Sequence, residues 1–192
     1  MINYNAFERK SETLHQYSLS MSPKRFVFLF FACFVYGTVI AQGSEQEANL
    51  KAAFIYNFTK YIDWGIYSYR SEFVIDILGD AAIANSLEQI AKEKTINNKP
   101  IVVHVLDNPS QATDCDILFI SGNCRFTLDK ILPMIGKGVL TISEQPGYAE
   151  QGTAFNFIIV NNKLKFEANL KAIASAGLKA GSQLLKLAKI VE

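Results

Sequence analysis

Four short apolar runs recur through the middle of the chain: Phe73 to Leu78, Ile101 to Leu106, Asp116 to Ile120 and Val139 to Ile142. Runs this short, rich in Ile, Val and Leu, suit strands buried on both faces of a covered sheet. Gly79-Asp80 stops the first run. Asp80 can then cap a helix carrying Ile83, Leu87 and Ile90 at helical spacing, which Thr95 to Pro100 ends. Asp107-Asn108-Pro109 turns the chain after the second run. Thr127 can cap a short helix through Leu132 that Pro133 and Gly136 disturb. Strands alternating with helices in this way predict an α/β fold, a largely parallel sheet with helices on both faces.

The style then changes. Ala154 to Val160 and Lys163 to Ala168 are joined by Asn161-Asn162, residues that tolerate left-handed backbone, and so predict an antiparallel hairpin. Leu164, Phe166 and Ala168 should point inward, and Lys163, Lys165 and Glu167 should face water. Asn169 can cap a long last helix whose positions Leu170, Ile173, Ala174, Gly177, Gly181, Leu184, Ala188 and Val191 form one stripe. Gly177 and Gly181 either permit a close backbone approach or mark a break, with Ser182 capping a second segment.

Ahead of the strands lies KAAFIYNFTKYIDW, residues 51 to 64. Ser44 followed by Glu47 is a capping-box signature, and a helix starting there carries Leu50, Phe54, Phe58 and Tyr61 or Ile62 down one face. Phe54, Tyr56, Phe58, Tyr61 and Trp64 are too many rings for one buried stripe. Some should lie at the margin or on a partner surface.

Lys24 and Arg25 precede Phe26 to Ala41, sixteen uncharged residues closing on Val39 and Ala41 in the manner of a signal-peptidase site. Sixteen helical residues span about 24 Å, short of the roughly 30 Å hydrocarbon core, which favours a cleaved signal peptide over an anchor. Residues 1–41 therefore read as a leader, with a start at Met21 and cleavage before Gln42, and residues 42–192 as one exported domain. Cys33 follows only seven apolar residues, a short stretch for a lipoprotein signal. Beyond the leader 15 basic residues stand against 16 acidic ones, which leaves no basic footprint for nucleic acid.

Five segments, KAAFIYNFTKYIDW, VIDILGD, CDILFIS, VLTISEQPGYAEQGTAFNFIIVNNKLKFEANL and SAGLKAGSQLLKLAKIV, resemble the YfiR-like family in order and spacing. The resemblance spans nearly all of residues 48 to 191. It implies a small exported α/β domain without enzymatic activity or cofactor. Its expected role is to restrain an inner-membrane signalling protein, such as a diguanylate cyclase, by engaging the periplasmic sensory domain, so that release raises cyclic-di-GMP and biofilm formation. The family is associated with cysteine-dependent redox control, and Cys115 matches the position opening its third-strand motif. Where some relatives carry a partner Cys on the first strand, this chain has Asp76, which puts that disulfide out of reach.

The residues themselves offer several candidate sites. Cys115 and Cys124 remain in the exported chain, where a disulfide is permitted, but a strand about 20 Å long separates them. A bond between them needs a sharp return after Gly122. Asp76 and His104 interrupt apolar strands at equivalent positions and can meet if the strands are adjacent and parallel, either as a structural pair or as a pH- or ligand-sensitive one. His104 is the only histidine after the leader, so a metal site or a Ser-His-Asp triad would depend on it alone. Cys115 with His104 lacks an oxyanion-hole motif. Gly79, Asp80, Ser121, Gly122, Ser143 and Tyr148 fall on loops at the carboxyl edge of the sheet, either as a small-molecule site or as ordinary turns. Tyr56, Tyr61 and Trp64, with Tyr67 and Tyr69 beyond them, are the candidate partner surface. The first and last helices offer faces for a homodimer. The reading is a periplasmic signalling modulator, with a small-molecule-binding sensor as the alternative.

Overall fold

The computed structural model describes residues 44–67, 69–79 and 81–191. The predicted leader, its start and cleavage site, Cys33 and Asp80 all lie outside the described residues. The chain forms α1 (residues 44–58), β1 (Ile62–Asp63), a 3-10 turn at Gly65–Tyr67, β2 (Phe73–Leu78) and α2 (Ala81–Glu93). There follow β3 (Thr95–Ile96), β4 (Lys99–Leu106), β5 (Ile117–Ile120), α3 (Leu128–Ile131), β6 (Leu140–Ser143), β7 (Phe155–Val160) and β8 (Lys163–Asn169). Short pieces complete it: α4 (Leu170–Ser175), β9 (Lys179–Ala180), α5 (Ser182–Leu185) and β10 (Lys189–Val191).

Among the described residues the main sheet has eight strands in the order β10-β8-β7-β6-β5-β2-β4-β3. β2 lies between β4 and β5 and pairs in parallel with both, as a strand with five buried positions out of six requires. β5, β6 and β7 continue in parallel, but β7 and β8 are antiparallel, and so are β3 and β4. The sheet is thus mixed rather than largely parallel. β1 and β9 make a separate antiparallel pair.

One face is covered by Ala52, Ile55 and Phe58 of α1, Ile83, Ala84 and Leu87 of α2, and Ile173 and Leu184 from the carboxyl-terminal helices. Leu128 and Ile131 of α3 cover part of the other. On α1 the buried face runs through Ala48, Ala52, Ile55, Phe58 and on to Ile62, while Leu50 is 46% exposed, so the inward stripe is rotated from the one read in the sequence. The small alanines let the helix approach the sheet, and Phe58 then reaches Phe155, Phe157 and Phe166, with ring centroids 4.9, 5.9 and 4.8 Å away.

Three further expectations are corrected. Thr95 to Pro100 does more than end a helix. It forms a hairpin whose Asn97 and Asn98 adopt φ of 50° and 62°, the same turn that Asn161 and Asn162 make at 52° and 56°. The long last helix is broken. α4 stops after one and a half turns, Gly177 takes φ of 77°, and Gly181, rather than Ser182, is the N-cap of α5. Glu167 is buried rather than solvated, because β10 pairs beside it. Tyr67 closes this region. A side chain at Gly138 would come within 2.6 Å of its ring atoms and one at Gly177 within 2.9 Å, and the Gly138 amide donates to the Ala176 carbonyl at 2.7 Å.

Candidate functional site

At the carboxyl edge of β6 the ladder to β7 ends at Ser143 and Asn156, while the β7–β8 hairpin runs on to its tip. The gap so left is a cleft of about 540 Å³. Its apolar wall is Phe157, Ile158, Ile159 and Leu164, and its floor and rim come from Glu47 and Lys51 of α1, Gly122 after β5, Glu144 and Gly147 after β6, and Glu167 of β8.

Lys51 organises the polar side. Its ammonium contacts Glu144 and lies 2.5 Å from Glu47, one turn back on α1. Burial works against the charge, but the hydrogen bonds and fields of Glu144 and Glu47 outweigh it and hold the pKa above the ordinary lysine value. Glu144 also accepts a hydrogen bond of 2.6 Å from the Gly122 amide, and the Gln145 side-chain amide donates to the Gly122 carbonyl at 3.0 Å. A carboxylate of the protein itself thus occupies the position between an ammonium and a loop amide that an anionic ligand would take. An entering acid has to displace Glu144; an apolar group meets open wall.

Of the carboxyl-edge residues read from the sequence, Gly122 lines this cleft. Ser143 is fully buried, donates to Asn156 at 2.7 Å and lies 2.8 Å from the Thr153 hydroxyl. Asn156 in turn donates to Glu167 at 3.1 Å, and Glu167 accepts from Lys189 at 2.8 Å, so a polar line crosses β6, β7, β8 and β10. Ser121 is buried with its hydroxyl 3.0 Å from the Leu78 carbonyl, and Tyr148 is partly buried against the smaller core cluster that includes Leu128 and Ile131. Gly79 is held tightly, since a side chain there would meet Ser121 at 2.3 Å. Gly79 and Cys124 line a smaller hollow at the end of β2 and β4, about 190 Å³, with Asp107 and Arg125.

Asp76 and His104 stand opposite each other on β2 and β4, and their side chains meet at 3.0 Å between Oδ1 and Nδ1. Asp76 is buried and His104 half exposed at its side chain, so the carboxylate is inside and its partner reaches solvent. Cys115 completes the group. Burial first, then the charge of Asp76 and a hydrogen bond to it, push the thiol pKa far above the cysteine range. The thiol is therefore protonated and a poor nucleophile. Cys115 and Cys124 are both free thiols. Near the start of β5, the buried Asp116 accepts from the Val74 amide at 2.8 Å and pairs with Arg70 at 3.2 Å.

The aromatic segment divides sharply. Trp64 is 3% exposed and meets Phe73 edge-on at 5.2 Å, so it belongs to the core; its buried indole nitrogen has no hydrogen-bond partner among the described residues. Tyr56 is half-buried, with Lys60 over its ring. Tyr61, Ile66 and Tyr69 are the exposed large side chains of this stretch, at 41%, 84% and 74%. Sequence reasoning missed Glu47, Lys51 and Glu144. The i,i+4 spacing of Glu47 and Lys51 was a visible signal, but nothing local links them to a glutamate 93 residues on.

These features define a mixed α/β domain whose buried polar groups mostly answer one another and whose openings are a sheet-edge cleft and exposed aromatics. The chain belongs to the YfiR/HmsC-like family, whose model matches residues 48–189. The family is regulatory rather than catalytic, its members are periplasmic, and membership is consistent with control of a diguanylate cyclase. Among the described residues no helix is long and apolar enough to cross a membrane, and no group of three or more His, Cys, Asp or Glu is placed to hold a metal ion.

Proposed function

We propose that the protein is an exported, non-enzymatic signalling modulator that binds the periplasmic domain of an inner-membrane partner such as a diguanylate cyclase. The family match over residues 48–189 carries this reading. The surface assigned to the partner is the turn between α1 and β2, where Tyr61, Ile66 and Tyr69 expose apolar area that a monomer otherwise tends to bury. Trp64 supports that turn from inside. Cross-linking in the native periplasm, with mass spectrometry of the captured membrane protein, tests the reading. Capture of a cyclase or kinase with a periplasmic sensory domain, lost in a folded Tyr61→Ala, Tyr69→Ala variant, is the expected result. Capture that survives in that variant removes this surface.

The cleft beside Lys51 favours a second reading, a sensor for a small molecule with an acidic group and an apolar body. The acid would take the place of Glu144, and the body would lie on Phe157 and Ile159. Thermal shifts with candidate carboxylates, abolished by Lys51→Met, are expected under it; no shift with any of them counts against it.

A further inference from the structure

We infer that the notch between β6 and the β7–β8 hairpin is a strand-docking site, in which an extended, uncharged segment of a partner protein pairs with the free edge of β7. The hairpin fixes which backbone groups are open. Asn161 and Asn162 both lie at positive φ, so Val160 and Lys163 exchange the two hydrogen bonds that close a two-residue hairpin. Counting back by twos, Ile158, Asn156 and Ala154 face β8, and the Asn169 amide does donate to the Ala154 carbonyl at 3.0 Å. Phe155, Phe157 and Ile159 therefore turn their N–H and C=O groups toward the β6 side. β6 pairs only as far as Ser143, opposite Asn156. Beyond it the chain leaves the sheet, and the Gln145 carbonyl accepts from the Tyr148 amide in a turn. Among the described residues no strand lies beside 158–160 on that side. The parallel ladder thus uses the Phe157 N–H and stops. The Phe157 carbonyl and both peptide groups of Ile159 are left directed into the cleft.

Open edges are ordinarily guarded by lysine, proline or a bulge. The other edge of the same hairpin follows that rule: β10 pairs only with Glu167 to Asn169, and exposed Lys163 and Lys165 stand on the uncovered part of β8. On β7 the stretch Phe157-Ile158-Ile159-Val160 carries neither lysine nor proline, and Ile159 is 61% exposed. It offers about 13 Å of ladder, the template on which another strand adds.

Charge and shape select the occupant. The four charged residues lining the cleft already answer one another or a neighbour: Lys51 lies between Glu47 and Glu144, and Glu167 binds Lys189 and Asn156. A charged side chain entering there has to break one of these pairs. An uncharged strand breaks none, meets the three open peptide groups with two alternate residues of its own, and lays apolar side chains on Phe157 and Ile159. The cleft is lined by α1 and the Pro146-Gly147 turn as well as by β7, so it admits a lone strand; β7 of a second copy would bring its own α1 and β8 with it. The inference shares a cleft with the ligand-sensor reading but needs neither the acid nor Lys51, and it uses none of the residues of the Tyr61 turn.

Titration with an end-blocked peptide of about seven alternating threonines and valines, followed by NMR and amide hydrogen exchange, tests it. The wild type should bind with a Kd below about 1 mM. Exchange at the Ile159 amide should slow at least about tenfold on binding, while Ile158, already in the ladder to β8, keeps its rate. The same peptide N-methylated at every residue should not bind. Ile159→Pro deletes an N–H facing the notch without touching the ladder to β8 and should weaken binding at least about tenfold. Ile159→Lys, at an exposed side chain, should do the same and decides the matter if the proline variant unfolds. Lys51→Met should leave peptide binding within about twofold. A wild type that does not bind at about 1 mM, binding that survives N-methylation, or binding unchanged in Ile159→Lys overturns the inference. Loss of peptide binding in Lys51→Met also overturns it and hands the cleft to the acid reading. Carboxylates that raise the Tm of a protein deaf to the peptide leave that reading standing and remove this one.

Discussion

Phe58→Ala is the sharpest test of how α1 is seated. The ring is 1% exposed and has four aromatic neighbours, Phe54, Phe155, Phe157 and Phe166, with centroids between 4.8 and 6.0 Å. Removing a buried phenylalanine costs about 3–5 kcal/mol, the upper half applying where the surroundings cannot collapse. Here three of the four rings stand on β7 and β8, which are tied to each other from Phe155 to Val160, so the walls are stiff. A loss of about 4 kcal/mol is a large share of a domain's usual 5–15, and corresponds to roughly 8–16 °C in Tm. Urea unfolding followed by far-UV circular dichroism and by the fluorescence of Trp64, the only tryptophan, measures it. Leu50→Ala is the control. At 46% exposure, off the buried stripe, it should stay within about 0.5 kcal/mol. A loss below about 1.5 kcal/mol at Phe58 with an unchanged m-value, or a larger loss at Leu50, refutes this orientation of the helix.

Three more outcomes are expected. Cys124 should react with a soluble disulfide reagent at pH 8 in the native protein, while Cys115, buried and held protonated beside Asp76, reacts only on unfolding; equal native rates would contradict that placement. Burial holds the Asp116 carboxyl above the ordinary aspartate value despite the Val74 amide and Arg70. Because its folded pKa exceeds its unfolded one, this group costs stability that returns as pH falls through the folded value toward the ordinary carboxyl range. The stability of wild type minus Asp116→Asn should therefore decline as pH rises across that window, and a rising difference would reverse the assignment. Asn162→Gly, at φ of 56° in a two-residue hairpin, should raise stability by a few tenths of a kcal/mol to about 1, whereas Asn162→Val should lower it by more; a stabilising valine would mean the turn is of another kind.

The β2 and β5 strands were legible because a run buried on both faces shows itself in composition alone, and the β7–β8 hairpin because Asn161-Asn162 advertises its turn. The identical signal at Asn97-Asn98 was overlooked, since β3 is only two residues long and carries no alternation of its own. Glu167 was misassigned for a different reason. Alternation along β8 correctly put it on the face opposite Phe166, but β10 beside it is set by tertiary pairing that no local pattern announces. The long last helix was read from an apolar stripe, and of the two readings left open for its glycines the break is the one the chain takes, because it needs Gly177 at positive φ to turn back. At the site, Gly122 was reachable from its place after a strand. The Lys51–Glu144 contact was not, because charge pairs across 93 residues leave no spacing to read.

Tyr67 has one more implication, for how such a sequence can change over time. Its ring fills the space beside Gly138 and Gly177, two glycines 39 residues apart at φ of 83° and 77°. Each glycine is constrained twice, by its own backbone and by the same phenol ring. No one of these three positions can drift alone: a methyl group at either glycine meets Tyr67, and a smaller residue at 67 leaves a hole between two turns. Viable substitutions here should therefore be coupled, a smaller side chain at 67 accompanying any change at 138 or 177, while the positive φ at each turn goes on favouring glycine.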